Sequence, residues 1–249
     1  MAKFRSSLLE KIFPSRYRKA LVRMTRWPPV GKVDFHDLRR LEPISRSWGG
    51  DRGTPIDRYY IEQFLSLHSR DIKGNVLEIG GNTYTKKFGR GEIVQSEVLH
   101  VVEGNPQATI VANLSHAPQI PDNSFDCIIC TQTLHVIPDV DAAISTLYRI
   151  LRPKGVILGT AATISKLDLD EENQWGDYWR FTSQGFSQLF ARSFRSEYIK
   201  VTAFGNVLTA TTFLQGLAAE ELKPHELKHN DPAYEMVVVA RVMKETDSV

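Results

Sequence analysis

From residue 75 onwards the chain alternates short apolar runs with helical periodicity, and this alternation restricts its fold more than any other feature. The apolar runs occur at 75–80, 98–103, 109–113, 125–131 and 155–160. Short runs without polar alternation are typical of parallel strands that are covered on both faces. Residues 139–151 carry apolar side chains at helical spacing, which predicts a right-handed crossover between the last two runs. The pattern predicts an α/β fold with a doubly wound, mostly parallel sheet.

The flanks of this region predict further elements. Residues 56–67 have helical spacing, with Thr54 as the predicted cap and Pro55 in the first turn. Downstream, the pattern predicts helices near 183–191 and at 206–222, a strand near 195–203 and a last strand at 234–242. The two late strands are expected to form a terminal hairpin.

Composition and cysteine usage exclude several protein classes. The 249 residues are 42% hydrophobic, which supports one main domain with a sizeable core. The two cysteines, Cys127 and Cys130, lie in one apolar run, where strand alternation points them to opposite faces. They indicate core thiols rather than a disulfide framework. We find neither a membrane-spanning run nor a secretory signal, so the sequence predicts a cytoplasmic protein.

Residues 1–32 are strongly basic. They hold nine Lys or Arg against one acid, whereas the remaining residues carry 22 basic and 28 acidic side chains. We interpret residues 1–55 as a basic helical extension and cap, and residues 56–249 as the main domain. The basic segment suits packing on its own domain, peripheral contact with an anionic membrane, or, less well, nucleic acid.

Ligands in open parallel sheets bind beyond the carboxyl ends of the strands, so the residues there are the candidate site. The first strand ends in Glu78, followed by Gly80 and Gly81, which let a ligand approach the backbone. Glu103 ends the second predicted strand and could accept from ribose hydroxyls, and Asn113 and Leu114 follow the third with an amide and an apolar face for adenine.

Four motifs in order resemble one family over residues 72–162. They are Val-Leu-Glu-Ile-Gly at 76–80, Ile-Pro-Asp-Asn-Ser-Phe-Asp-Cys-Ile-Ile at 120–129, Leu-His-Val-Ile-Pro-Asp at 134–139 and Leu-Tyr-Arg-Ile-Leu-Arg-Pro-Lys-Gly at 147–155. This set is similar to class I S-adenosylmethionine-dependent methyltransferases. The flanks at 51–60 and 175–182 resemble a bacterial subgroup often associated with surface-polysaccharide glycosyltransferases.

The resemblance implies a seven-stranded sheet with an antiparallel last strand and S-adenosylmethionine as the cofactor. It implies cofactor binding by Glu78, Gly80, Gly81, Asn82, Glu103, Asn113, Leu114, Thr131 and Gln132. The chain departs from the family where Asn82 and Tyr84 stand in place of glycines. The spacing allows only a short helix between the first two strands and none between the second and third.

Methyl transfer from a sulfonium is an in-line displacement, which needs a base only for an un-ionised acceptor. His135 follows the fourth strand and is the candidate catalytic base, or else a residue that lines the site. Gln132 could orient cofactor or acceptor. The candidate acceptor-binding residues are Arg52, Tyr59, Asp177, Tyr178, Trp179 and Arg180.

Simpler structural roles stay open for these acceptor candidates. Residues 177–180 could form a structural lid, and Arg52, Asp57, Arg58 and Tyr59 could cap a helix or pair at the surface. No metal site is expected, since only His225 and His229 have a ligand-like spacing, in a region predicted to be surface.

The sequence therefore predicts a methyltransferase that acts on an oxygen of a small molecule or glycan, most plausibly a sugar hydroxyl. Carboxyl methylation is the nearest alternative, with Arg180 or Trp179 positioning the carboxylate. A binding module without catalysis is a further alternative. A nucleic-acid methyltransferase ranks last, because the body of the chain is acidic, and no nucleic-acid partner is expected.

Overall fold

The computed structural model describes residues 27–168 and 176–246. The chain divides into two compact units, Met1–Glu42 and Pro43–Val249. The described part of the first unit holds one 3-10 turn, His36–Leu38, and its Trp27 and Leu41 are exposed. The helix predicted within the basic segment falls largely on residues outside the described ranges. Its membrane contact stays a prediction.

A seven-stranded sheet forms the centre of the second unit. Its strands are β1 (Gly74–Ile79), β2 (Ile93–His100), β3 (Ile110–Val111), β4 (Phe125–Thr131), β5 (Leu151–Ala162), β6 (Ile199–Phe204) and β7 (Val237–Met243). The spatial order is β3-β2-β1-β4-β5-β7-β6. β7 is antiparallel to both β5 and β6, and the other neighbours are parallel. The predicted fold class and antiparallel last strand are confirmed.

Helices cover both faces of this sheet. They are α1 (Ile56–Leu67), α2 (Thr83–Phe88), α3 (Val140–Ile150), α4 (Ser183–Phe190), α5 (Val207–Leu214) and α6 (Pro224–Lys228). Short 3-10 turns lie at Ser69–Asp71, Leu134–Val136, Ser196–Tyr198 and Ala219–Glu221. The core forms two clusters, one with α3 and α4 and the other with α1 and α5. Cys130 belongs to the first and Cys127 to the second, as strand alternation predicts.

The structure corrects the predicted boundaries at the carboxyl end of the chain. The helix predicted at 206–222 ends at Leu214, because Gly216 adopts φ +70° and packs against the backbone of Ser45. β6 and β7 are antiparallel neighbours, but α5 and α6 lie between them along the chain. They therefore pair without forming the predicted hairpin.

Two further corrections lie next to the site. β2 ends at His100, three residues before the predicted end. Pro55, not Thr54, is the N-cap of α1, and the Thr54 hydroxyl donates to Glu220 Oε1 at 2.7 Å instead. α2 has six residues, which confirms the short helix expected between the first two strands.

Candidate active site

A cavity of about 630 Å³ opens at the carboxyl edge of β1, β4 and β5, within the second unit. This volume lies in the range typical of small-molecule sites. Of the residues predicted from the sequence, the cavity is lined by Gly80, Asn113, Leu114, Thr131, Gln132, His135 and Asp177. The cavity thus brings together residues from the ends of β1, β3 and β4 and one residue, Asp177, from the segment after β5.

Glu78 holds the start of α2 and does not line the cavity. Its carboxylate accepts from the Tyr84 backbone N–H at 3.1 Å and from the backbone N–H and hydroxyl of Thr85, both at 2.7 Å. The side chain is 3% exposed, and burial raises the pKa of this carboxyl. Both oxygens are thus already engaged, so Glu78 acts on the site through α2 rather than by direct contact.

Gly80 leaves empty space beside its backbone. It adopts φ +89°, and a Cβ placed there would meet no atom within 4 Å. Its N–H donates to the Leu99 carbonyl at 2.9 Å, and its carbonyl accepts from Asn105 Nδ2 at 2.8 Å. Gly81 and Asn82 follow in the turn but do not line the cavity. The open surface at this strand end is therefore that of Gly80.

Gln132 combines a strained backbone with an unsatisfied side chain. It adopts φ +49°, a left-handed conformation that non-glycine residues rarely occupy. Its N–H donates to the Thr160 carbonyl at 2.9 Å, which holds that conformation. Its Nε2 is buried without a hydrogen-bond partner among the described residues. Strain and an unmatched buried amide at a cavity wall both indicate a ligand-contacting residue.

His135 presents a neutral imidazole to the cavity. Its Nδ1 is buried and has no partner among the described residues. Burial is the main reason that the pKa of His135 falls from 6.5 to about 4, although Asp177 opposes the shift. The backbone carbonyl of His135 accepts from the N–H groups of Tyr178 and Trp179 at 2.9 and 3.1 Å. The backbone is thus fixed, and Nδ1 is a buried acceptor or donor that no described residue satisfies.

Residues 177–180 fold against the cavity rim. Asp177 lines the cavity and is held by both Nη atoms of Arg180 and by the Asp168 backbone N–H at 3.1 Å. Burial favours a higher pKa for Asp177, but these donors outweigh it and lower the pKa. Trp179 Nε1 donates to the Ile137 carbonyl at 2.9 Å. Tyr178, Trp179 and Arg180 do not line the cavity, which favours a structural role for them.

The first turn of α1 contributes one acidic and one basic side chain to the cavity. Asp57 and Arg58 line the cavity, whereas Arg52 and Tyr59 do not. Arg52 pairs with Glu221 at the surface, and Tyr59 packs edge-on against Tyr60 with 5.3 Å between ring centroids. Burial raises the pKa of Asp57. The polar groups that α1 offers to a ligand are therefore Asp57 and Arg58.

Glu103 does not reach the cavity. Because β2 ends at His100, Glu103 lies in an exposed turn, and His100 and Val101 line the cavity in that region. The structure therefore gives no support to the ribose role expected of Glu103.

Several lining residues were not singled out from the sequence. Trp48 and Lys166 are the clearest, with Lys166 Nζ 3.3 Å from the centre of the indole ring and Trp48 Nε1 donating to Ser165 Oγ at 3.2 Å. Both come from irregular segments, and no periodic pattern marks them.

Residues 75–159 match the family model described as a methyltransferase domain. This region is therefore similar to a methyltransferase domain. The resemblance stated from the sequence motifs is confirmed at that level. The narrower likeness to a subgroup linked to surface polysaccharides stays a prediction.

The methyltransferase domain matches curated relatives over part of their length. A ubiquinone/menaquinone biosynthesis C-methyltransferase UbiE from Saccharophagus degradans is 33% identical over 121 residues, covering 41% of this chain and 49% of that protein. The mitochondrial arginine-hydroxylase NDUFAF5 of Rattus norvegicus is 24% identical over 154 residues, covering 53% of this chain and 45% of that protein. The chain thus spans about half the length of these relatives.

Among solved structures, phosphoethanolamine N-methyltransferase 2 of Haemonchus contortus, in complex with S-adenosyl-L-methionine, aligns with a TM-score of 0.48 and 17% identity. The alignment covers 88% of this chain and 61% of that one.

The cavity of the methyltransferase domain suits the cofactor at two strand ends and departs from the family at a third. Gly80 offers open backbone and Gln132 an unmatched amide, both of which a bound cofactor would use. The end of β2 contributes no carboxylate to the lining. Among the described residues, no group of three or more His, Cys, Asp or Glu could hold a metal ion. No helix in the described ranges has the length and hydropathy needed to cross a membrane.

Proposed function

We propose that this protein transfers a methyl group from S-adenosylmethionine to a hydroxyl oxygen of a small molecule or glycan, with a sugar as the first acceptor to test. The observation that carries the proposal is that His135 lines the cavity and that its buried Nδ1 has no partner among the described residues. A buried neutral imidazole with a vacant nitrogen suits the acceptance of a hydroxyl proton.

His135 Nδ1 would accept the proton of the acceptor hydroxyl as that oxygen is methylated. When bound, the cofactor supplies the activated methyl group. The low pKa of His135, about 4, keeps the imidazole unprotonated near neutral pH and also makes it a weak base, so a proton that it takes passes readily to solvent. The two hydrogen bonds to its carbonyl hold the backbone of His135 beside the cavity.

Four lining residues would hold the cofactor. Gly80 and Gln132 face it with open backbone and an amide, and Asn113 and Leu114 offer a polar and an apolar surface at the other end. Glu78 supports this arrangement through the start of α2. Apolar lining side chains, among them Phe213 and Met236, would limit the access of water to a bound cofactor.

Carboxyl methylation is the weaker alternative on this geometry. The groups expected to position an acceptor carboxylate were Arg180 and Trp179. Arg180 is committed to Asp177 through both Nη atoms, and Trp179 Nε1 is committed to the Ile137 carbonyl. Neither lines the cavity, so neither is placed to bind an acceptor.

The test is transfer of a 13C-labelled methyl group from S-adenosylmethionine to three acceptor sets: methyl glycosides, carboxylic acids and hydroquinones. The chemical shift of the transferred carbon separates an ether, an ester and a C-methyl product. We expect an ether. The hydroquinone set is included because UbiE relatives are named as C-methyltransferases. A C-methyl or ester product would overturn the proposed acceptor chemistry.

A variant pair tests the role of His135. We expect His135→Gln to lower kcat about 100-fold or more while S-adenosylhomocysteine binding, measured by calorimetry, is retained. His225→Gln, on the exposed face of α6 and away from the cavity, is the matched control and should keep full activity. Full activity in His135→Gln would contradict the base assignment.

A further inference from the structure

Tyr84 occupies a position where the resemblance predicts glycine, and its side chain points towards α1. It is the second residue of α2 and is 9% exposed. Its hydroxyl lies 3.3 Å from Arg58 Nη1 and accepts from it. A glycine could make no such contact. The departure from the glycine pattern therefore creates a support for Arg58.

Arg58 is constrained from a second side. Its Nε lies 3.9 Å from Asp57 Oδ2, and Asp57 Oδ1 accepts from the Arg58 backbone N–H at 2.8 Å. Both side chains line the cavity, and the guanidinium keeps donors beyond the one given to Tyr84. An arginine beside an aspartate complements a zwitterion, with the guanidinium for a carboxylate and the carboxylate for an ammonium.

Support for this pair extends back to β1. The Glu78 carboxylate accepts from the backbone N–H of Tyr84 itself, at 3.1 Å, and so fixes the residue that contacts Arg58. Gly80, two residues after Glu78, lines the same cavity as Arg58. A loop with fewer glycines lets a ligand approach its backbone less closely. A guanidinium that is fixed by neighbouring side chains offers the ligand a charged hydrogen-bond donor.

We propose that Arg58, positioned by Tyr84 and Glu78, binds the carboxylate at the amino-acid end of the cofactor, with Asp57 facing the ammonium. This rests on the cofactor use proposed above. Charge recognition by α1 thereby replaces part of the contact that glycine-rich backbone would make.

Two ligands that differ only in this end test the proposal. S-adenosylhomocysteine carries the amino-acid end, and 5′-methylthioadenosine lacks its carboxylate and ammonium. We expect Arg58→Gln to weaken the binding of S-adenosylhomocysteine about 10- to 100-fold, as measured by titration calorimetry. The affinity for 5′-methylthioadenosine should not change. Arg58→Lys, which keeps the charge but loses the fork, should fall between wild type and Arg58→Gln.

Tyr84→Phe tests the positioning role, because it removes only the hydroxyl that contacts Arg58. We expect the affinity for S-adenosylhomocysteine to fall a few-fold and the affinity for 5′-methylthioadenosine to stay unchanged. Lys87→Gln is the matched control, since Lys87 on α2 pairs with Glu62 on α1 at 2.7 Å and does not line the cavity. It should alter neither affinity.

The outcomes separate the two proposals. Equal losses for both ligands in Arg58→Gln, or no loss, would overturn the role of Arg58 while leaving the cofactor assignment intact. Retained S-adenosylhomocysteine affinity with weaker binding of an acidic acceptor would assign Arg58 to the acceptor instead. A folded wild-type protein that binds neither ligand would overturn the proposed function itself.

Discussion

The buried imidazole of His135 makes the stability of the fold depend on pH. Its pKa is lowered from 6.5 to about 4, chiefly because burial disfavours the charged form. In the unfolded chain the same group is solvated and has its ordinary pKa. Between these two values the unfolded state binds a proton that the native state does not bind. The free energy of unfolding therefore falls as the pH drops below 6.5, and the loss is complete below 4.

The size of this loss follows from the shift. Each pKa unit corresponds to about 1.4 kcal/mol, so the full effect is about 3 kcal/mol, of which about 2 kcal/mol is lost by about pH 5. His135→Gln has no group that titrates here. We expect the wild type to lose about 2 kcal/mol more than this variant between about pH 8 and about pH 5.

Urea unfolding of both proteins at the two pH values measures this difference. Other titrating groups, such as His68, whose pKa burial also lowers, are present in both proteins and cancel in the subtraction. If the two proteins lose the same stability on acidification, then His135 is not desolvated in the native state. The neutral imidazole at the centre of the proposed mechanism would then be refuted.

Three further predictions follow from the same site. The pH profile of kcat/KM should show no loss attributable to His135 until the pH approaches its pKa of about 4, because the neutral form persists above that value. Gln132→Gly should stabilise the fold by about 1 kcal/mol in urea unfolding, because glycine adopts φ +49° without strain. The same variant should bind S-adenosylhomocysteine more weakly in calorimetry, because it lacks the amide. Glu78→Gln should cost about 1–3 kcal/mol in urea unfolding, since its carboxylate accepts three hydrogen bonds at the start of α2.

Apolar runs predicted the inner strands well and the outer ones less well. β4 spans Phe125–Thr131 as predicted, because both faces of a central strand are covered and every side chain is under the same constraint. The second run predicted a strand to Glu103, but β2 ends at His100, where its last pairing with β3, His100 to Val111, also ends. Val101 and Val102 are apolar yet exposed, and without a neighbouring strand their β propensity has no effect.

Site residues that come directly after strands could be predicted from the sequence. Those whose role depends on a contact with a distant segment could not. Gly80, Gln132 and His135 follow directly from the rule that ligands bind beyond the carboxyl ends of parallel strands. The contact of Arg58 with Tyr84 joins two helices, and the stacking of Lys166 on Trp48 joins two irregular segments. No local periodicity encodes such pairs, since they depend on how the elements pack.

The behaviour of Glu78 shows how a motif can persist while its contacts change. The acid at the end of β1 fits the family pattern, but its carboxylate is fully engaged by the start of α2 and does not reach the cavity. Its effect on a ligand is therefore transmitted through Tyr84, whose hydroxyl accepts from Arg58. The acid therefore sets the position of a helix, and the charged side chain at the cavity comes from α1. Tyr84, which stands where the family pattern has glycine, and Arg58 are the two partners of one contact.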